Sequence, residues 1–183
     1  MKKPLLIGVG VLVVLMLLFV GFYQFTTSKS PRTKLDAQGP AGLMLHIDHG
    51  TPSLRGRVAF GPAGSGSIEP YNKVWRTGAN EATRFVINKD VKVGDKVVKA
   101  GSYTLYTIPN AEKWTVIING QTGQWGTTYN EDRDVARLEV PVEKLDAPVE
   151  KLTITATADE ATKTAAVALM WDKTKIKFDL VVQ

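Results

Sequence analysis

An uncharged, almost wholly apolar run fills residues 5–23, directly behind Lys2 and Lys3, and it separates a stretch suited to lipid from a stretch suited to water. As an α-helix the run reaches about 28 Å, close to the hydrocarbon thickness of a bilayer. A cleaved secretory leader has a shorter apolar core of about 7–15 residues and a small-x-small processing site. The best processing candidate here, Thr26 to Ser28, fits that pattern poorly. Residues 1–23 are therefore expected to be a retained single-pass transmembrane anchor, with the lipid bilayer as partner through residues 5–23. Flanking charge gives little direction, because Lys2 and Lys3 oppose Lys29, Arg32 and Lys34. The short leading tail suits a signal anchor whose long C-terminal domain is exported, so that domain is expected to be extracytoplasmic.

Residues 24–40 read as a polar linker and residues 41–183 as one domain, long enough to bury a core of its own. The chain has no cysteine, which excludes both a lipid-modified cysteine and disulfides. Its formal charge is +5, but Lys2 and Lys3 precede the domain, and the 21 basic and 18 acidic residues that remain leave only +3. These charges alternate in sign through residues 88–99 and 130–144, the pattern of solvated faces, and no nucleic-acid partner is expected.

Strict alternation marks the domain as all-β. Leu43, Leu45 and Ile47 share one face against Met44, His46 and Asp48; Thr83, Phe85 and Ile87 oppose Arg84 and Val86. The same period recurs in Tyr103, Leu105 and Thr107, in Trp114, Val116 and Ile118, in Leu152 and Ile154, in Val167, Leu169 and Trp171, and in Ile176, Phe178, Leu180 and Val182. Turn residues separate these runs at Gly94-Asp95, Ala100-Gly101, Pro109-Asn110, Asn119-Gly120 and Asp172-Lys173. About nine short antiparallel strands with one apolar face each imply a β-sandwich or flattened barrel. Only residues 69–80 resist a strand reading, and Pro70 could open one helical turn there.

The segment Tyr71-Asn72-Lys73-Val74-Trp75-Arg76-Thr77-Gly78-Ala79-Asn80-Glu81-Ala82-Thr83 resembles the central motif of the bacterial domain of unknown function 2911 family. Blocks at residues 52–57, 101–109 and 125–129 agree in order, so the resemblance covers about residues 44–182. It implies an exported or membrane-attached β-rich domain of a bacterial envelope, periplasmic in setting, with no assigned activity. The chain departs from the pattern at Asp48-His49-Gly50, where a tyrosine or an arginine is expected.

The densest polar cluster is Arg76, Thr77, Asn80 and Glu81, between Trp75 and Phe85. One reading makes Arg76 a planar fork for a carboxylate or phosphate, with Asn80 and Glu81 orienting hydroxyl or amide groups. The other makes the same segment a structural loop, Trp75 plugging the core and Arg76 pairing with Glu81. The ligand-binding candidates are Arg55, Arg76, Asn80, Glu81 and Tyr129, for a small-molecule, glycan or peptide ligand. At least two of the four tryptophans should be plain packing.

A metal site is not favoured. His46 and Asp48 point one way on a strand while His49 points the other, and Glu69 or Glu81 could join them only through the fold. There is no Gly-x-Ser-x-Gly elbow, and the Gly- and Ser-rich residues 61–67 lack the lysine of a phosphate-binding loop, so no cofactor is expected. Glu131, Asp132 and Asp134 read as solvated charges around Arg133. The preferred function is a membrane-tethered binding or interaction module. The alternatives are a hydrolase using Glu81, or His46, Asp48 and Glu81 around a metal, and a purely structural envelope protein.

Overall fold

The computed structural model describes residues 2–183, with side chains for residues 8–25 and 28–183. The side chains of Lys2, Lys3, residues 5–7 and Thr26, which enter the charge comparison, the apolar run and the processing candidate, lie outside the described residues.

The chain opens with helix α1 (Lys2–Ser28). Within it the window Gly8–Phe25 has a mean hydropathy of 2.2 and none of it is buried, and by length and composition it is long and apolar enough to cross a membrane. After a three-residue connection the chain enters strand β1 (Arg32–Gln38), inside the segment expected to be linker. β1 pairs antiparallel with β2 (Met44–Gly50) over its whole length, from Arg32 opposite Gly50 to Gln38 opposite Met44. As an edge strand it half-buries only Leu35 and Ala37, which is why it lacks a strong hydrophobic period.

Ten further strands follow: β3 (Phe60–Gly61), β4 (Glu69–Pro70), β5 (Thr83–Ile87), β6 (Val91–Val93), β7 (Lys96–Val98), β8 (Gly101–Ile108), β9 (Lys113–Asn119), β10 (Asp134–Pro141), β11 (Glu143–Asp159) and β12 (Thr164–Val182). One antiparallel sheet has the order β1-β2-β5-β8-β9-β10 and a second the order β11-β12-β6-β7, while β3 and β4 form a small parallel pair. The domain is all-β behind one N-terminal apolar helix, as the alternation implies, with twelve strands among the described residues rather than about nine. The surplus comes from β1 and from strands of two or three residues, too short to show a period.

The two larger sheets bury their apolar faces in one core, to which Leu45, Phe85, Leu105 and Val116 contribute from one side and Val91, Leu169, Trp171 and Phe178 from the other. At its centre Phe60 makes edge contacts with Trp114, Trp75 and Trp171 at centroid distances of 4.6, 5.4 and 5.4 Å. Three of the four tryptophans are thus packing, and only Trp125 is exposed, at 44%. A second, smaller cluster covers the opposite face of the six-stranded sheet. Ala82, Tyr106 and Ile117 are buried there, with Ile108 and Tyr129 packed against them.

Two local expectations give way. Residues 70–75 form no helical turn, because their N–H groups pair across the fold: Tyr71 with Gly61 O at 2.8 Å, Asn72 with Pro109 O at 2.9 Å and Trp75 with Thr107 O at 2.7 Å. Asp172-Lys173 is no chain reversal either. β12 runs through it, Asp172 takes φ of 54°, and the pairing with β11 shifts register around that point. This is the behaviour of a bulge, which bends a strand without ending it.

Candidate functional site

The segment from Trp75 to Thr83 is built by close backbone contact. Trp75 exchanges two backbone hydrogen bonds with Thr107 and its Nε1 donates to Gly78 O at 3.0 Å. Thr77 is fully buried at φ of 54°, its hydroxyl against that of Thr107 at 3.1 Å, and Thr83 Oγ1 donates to Thr77 O at 2.9 Å. Gly50 at the end of β2 lies so close that a Cβ there would sit 2.1 Å from Ala79 O. Trp75, Thr77 and Gly78 are therefore scaffold, and Arg76, Asn80 and Glu81 are what the loop presents.

The candidates named from sequence do not form one cluster. Arg76 and Tyr129 line one cleft, Glu81 lines a second, and Arg55 lies in a third. Asn80 Nδ2 donates to Ser30 O at 3.4 Å, just past the end of α1. Arg76 does not pair with Glu81; its Nη1 donates to Asn80 O at 3.2 Å. The weak metal candidates separate as well. His46 Nδ1 meets Asp36 Oδ1 at 2.5 Å, whereas Arg32 stands between Asp48 and Glu81, and among the described residues no group of three His, Cys, Asp or Glu could hold a metal. His49 is buried on the other face, and burial pushes its imidazole below its ordinary value.

The second cleft, about 470 Å³, lies on the outer side of the six-stranded sheet, where Arg84 of β5 and Ser102 and Thr104 of β8 point away from the core. Arg32 Nε and Nη2 donate to Asp48 Oδ1 and O at 2.8 and 2.9 Å, and Nη1 donates to Glu81 Oε2 at 3.0 Å. Tyr23 Oη donates to the other Glu81 oxygen at 3.0 Å. Partial burial works to raise the Glu81 carboxyl, but the hydrogen bonds from its own backbone, Tyr23 and Arg32 outweigh it and hold the group below the usual carboxylate range.

The far wall of this cleft is the segment 120–130, folded over Tyr106. Gln124 Nε2 donates to Thr104 Oγ1 at 3.2 Å, Tyr106 Oη at 3.0 Å and Gln121 O at 3.3 Å. Both hydroxyl protons are already committed, Thr104 to Gln121 O at 2.7 Å and Tyr106 to Thr128 O at 2.8 Å, so only the amide nitrogen suits that position. The consequence falls on Gln124 Oε1, which is buried without a hydrogen-bond donor among the described residues. Arg84, exposed at the same cleft, has no hydrogen bond or ion pair with the described residues.

The first cleft, about 290 Å³, sets Glu69 and Arg76 in one lining with Val74, Thr127 and Tyr129. The two charged groups are not in ion-pair contact, and the Glu69 carboxyl has no hydrogen-bond partner among the described residues. Burial pushes Glu69 up to about 7, against a smaller downward pull from the Arg76 guanidinium. Tyr129 Oη donates to Asp134 Oδ2 at 2.7 Å, and burial together with that carboxylate raises the phenol. Asp134, expected as a solvated charge, is only 8% exposed at its side chain, where Asn119 Nδ2 at 2.7 Å and Arg137 Nη1 at 3.2 Å also hold it. Tyr129 thus has its hydroxyl engaged in structure.

Sequence reasoning missed Arg32, Arg84 and Gln124, and considered Glu69 only as a partner of the histidines around a metal. Alternation does put Arg84 on the outward face of its strand, but Gln124 sits in a segment with no period. No curated protein and no solved structure matches the chain significantly. A family model described as "Protein of unknown function (DUF2911)" matches residues 30–180, starting just before β1 and taking in both sheets and all three clefts apart from Lys29. The chain therefore belongs to the DUF2911 family.

Proposed function

We propose that this protein is a membrane-anchored binding module, its domain outside the cytoplasm, whose ligand occupies the cleft between Arg32, Glu81, Arg84 and Gln124. The observation that carries this reading is the buried Gln124 Oε1, on a residue that lines the same cleft as Arg84, an arginine without a hydrogen bond or ion pair among the described residues. A buried acceptor left without a donor costs roughly 1–3 kcal/mol, and a ligand O–H or N–H would recover it. Arg84 offers a fork for a carboxylate or phosphate, and Ser102 and Thr122 add hydroxyls. The volume falls in the range of small-molecule sites. A small acidic, hydroxyl-bearing molecule such as an acidic sugar meets these groups. The test is thermal stabilisation of the detergent-solubilised full chain by glucuronate, galacturonate and sugar phosphates. Stabilisation by one of them that is lost in Arg84→Gln is expected; stabilisation by none, or equal stabilisation of the variant, refutes the assignment.

Anchoring is supported by the exposed apolar helix and by Phe22, Tyr23, Phe25 and Trp125 near its end, residues suited to a membrane interface. A reporter fused after Gln183 and active only in the cytosol would overturn the placement of the domain.

One observation favours a second reading, hydrolysis. Glu69, near 7 in a cleft that also holds Arg76, is poised for proton transfer as Glu81, ion-paired and low, is not. A hydrolytic activity whose pH profile loses its limb near 7 in Glu69→Gln would establish it; loss of no limb would dismiss it.

A further inference from the structure

Three cations meet where α1 ends. The helix stops at Ser28, and the connection between β2 and β3 folds Arg55 and Arg57 beside Lys29 and Ser30. Together with Pro52 and Ser53 they line a concavity of about 320 Å³. No acidic side chain is in this lining; the nearby Glu150 carboxylate accepts the backbone N–H of Arg55 at 2.9 Å. None of the three cations forms an ion pair with the described residues.

Backbone carbonyls aim both guanidinium groups. Arg55 Nη2 donates to Lys29 O at 3.0 Å, while Arg57 Nε and Nη2 donate to Leu54 O at 3.0 Å and Ser53 O at 3.2 Å. Each arginine keeps further N–H groups without an acceptor among the described residues. Arg55 holds φ of 51°, a left-handed conformation that a non-glycine residue rarely adopts. Lys29 Nζ stands 4.0 Å over the ring of Phe25, the last residue of the apolar window. From Phe25 to Lys29 is one helical turn, about 6 Å, which is the depth of a headgroup layer beyond the hydrocarbon edge.

We infer that this concavity binds the phosphate of an anionic lipid headgroup. The inference rests on the proposal that α1 spans the bilayer. A phosphodiester supplies acceptors for two arginine forks and a lysine point charge, and the lining holds no competing carboxylate. The site lies apart from the Arg84 cleft and shares no residue with it.

The test reconstitutes the full chain into nanodiscs of phosphatidylcholine containing a minority of phosphatidylglycerol. Lipid retained by the released protein is then read by native mass spectrometry. Wild type should retain phosphatidylglycerol over phosphatidylcholine, and Arg55→Gln and Arg57→Gln should each lower that preference roughly fivefold. Lys34→Gln, outside the concavity, should leave it intact. Lys29→Gln serves as the variant least able to disturb folding, and unchanged melting of all variants separates lost binding from lost structure. An inserted protein without preference, or with the same preference after all three substitutions, overturns the lipid site and leaves the anchor standing. Inorganic phosphate binding in detergent without lipid selectivity reassigns the site to free phosphate. Release of the chain from membranes by alkaline carbonate overturns the anchor and the lipid site together.

Discussion

Replacing Glu69 with glutamine should stabilise the protein above neutral pH and leave it little changed in acid. The carboxyl rises from its ordinary 4.5 to about 7 because burial disfavours its charge. The folded state therefore holds this proton more tightly than the unfolded chain. Between about pH 4.5 and 7 the folded state carries more protons, so stability falls as pH rises and the loss is complete above 7. A shift of about 2.5 pH units corresponds to at most ~3 kcal/mol, and to roughly 6–10 °C in Tm for a domain of this size. Unfolding of the full chain in detergent, followed by fluorescence of the buried tryptophans from pH 4.5 to 8.5, measures the difference between the two proteins. His49, whose neutral form is favoured by burial, costs stability in both proteins as pH falls below its ordinary 6.5, and so cancels in that difference. A constant difference across the range, or a glutamine variant less stable at high pH, would refute a half-buried carboxyl at Glu69 with no partner among the described residues.

Arg76→Ala should change stability by less than about 1 kcal/mol, as for other surface-accessible side chains. It should also move the Glu69 titration upward, because the guanidinium now pulls it down, and carboxyl ¹³C chemical shifts against pH would show any failure of that coupling. Phe60→Ala should cost ~3–5 kcal/mol by emptying the space between three indoles. A red-shifted emission and a lower urea midpoint are expected, and a loss under about 1 kcal/mol would mean the tryptophans close over the gap. Gly50→Ala should destabilise by ~1–3 kcal/mol, since the new methyl would meet the Ala79 carbonyl at 2.1 Å, and an unchanged midpoint would show that the two backbones can part.

Alternation made the core legible. Leu43, Leu45 and Ile47, and then Val167, Leu169 and Trp171, are buried on the faces their period indicates. The period fails where burial is not one-sided. In β8 the face opposite the core carries Tyr106, fully buried beneath segment 120–130, and nothing local to β8 announces that cover. β1 fails for the opposite reason, since an edge strand with both faces largely wet reads as linker. The site was harder to read because its chemistry is made between distant residues. Arg32 and Glu81 lie 49 positions apart, and Asn119 and Asp134 lie 15 apart. Glu69 owes its shift to surroundings that only the folded chain assembles, and Gln124 owes its orphaned oxygen to two hydroxyls whose protons are committed elsewhere.

The loss of the expected linker changes what a tethered domain can reach. A flexible tether over residues 24–40 would extend some tens of ångströms and let the head sample a wide shell. Instead only residues 29–31 separate α1 from β1, a span of about 10 Å at full extension. The join is also pinned, since Arg32 grips Asp48 and Glu81 while Glu81 holds Tyr23, whose ring lies 6.5 Å from that of Trp125. Each of these bonds is partly exposed and individually weak, of order 1 kcal/mol or less. Together they bridge the last turns of the helix to β2, to the loop before β5 and to segment 120–130. Of these, the loop before β5 and segment 120–130 also line the Arg84 cleft, together with Arg32 of β1. On the proposed reading of α1 as the span, the cleft is held at the membrane surface, and its ligands are drawn from molecules present there. The lipid contact proposed at Arg55 and Arg57 depends on that same fixed geometry, so the nanodisc measurement bears on both.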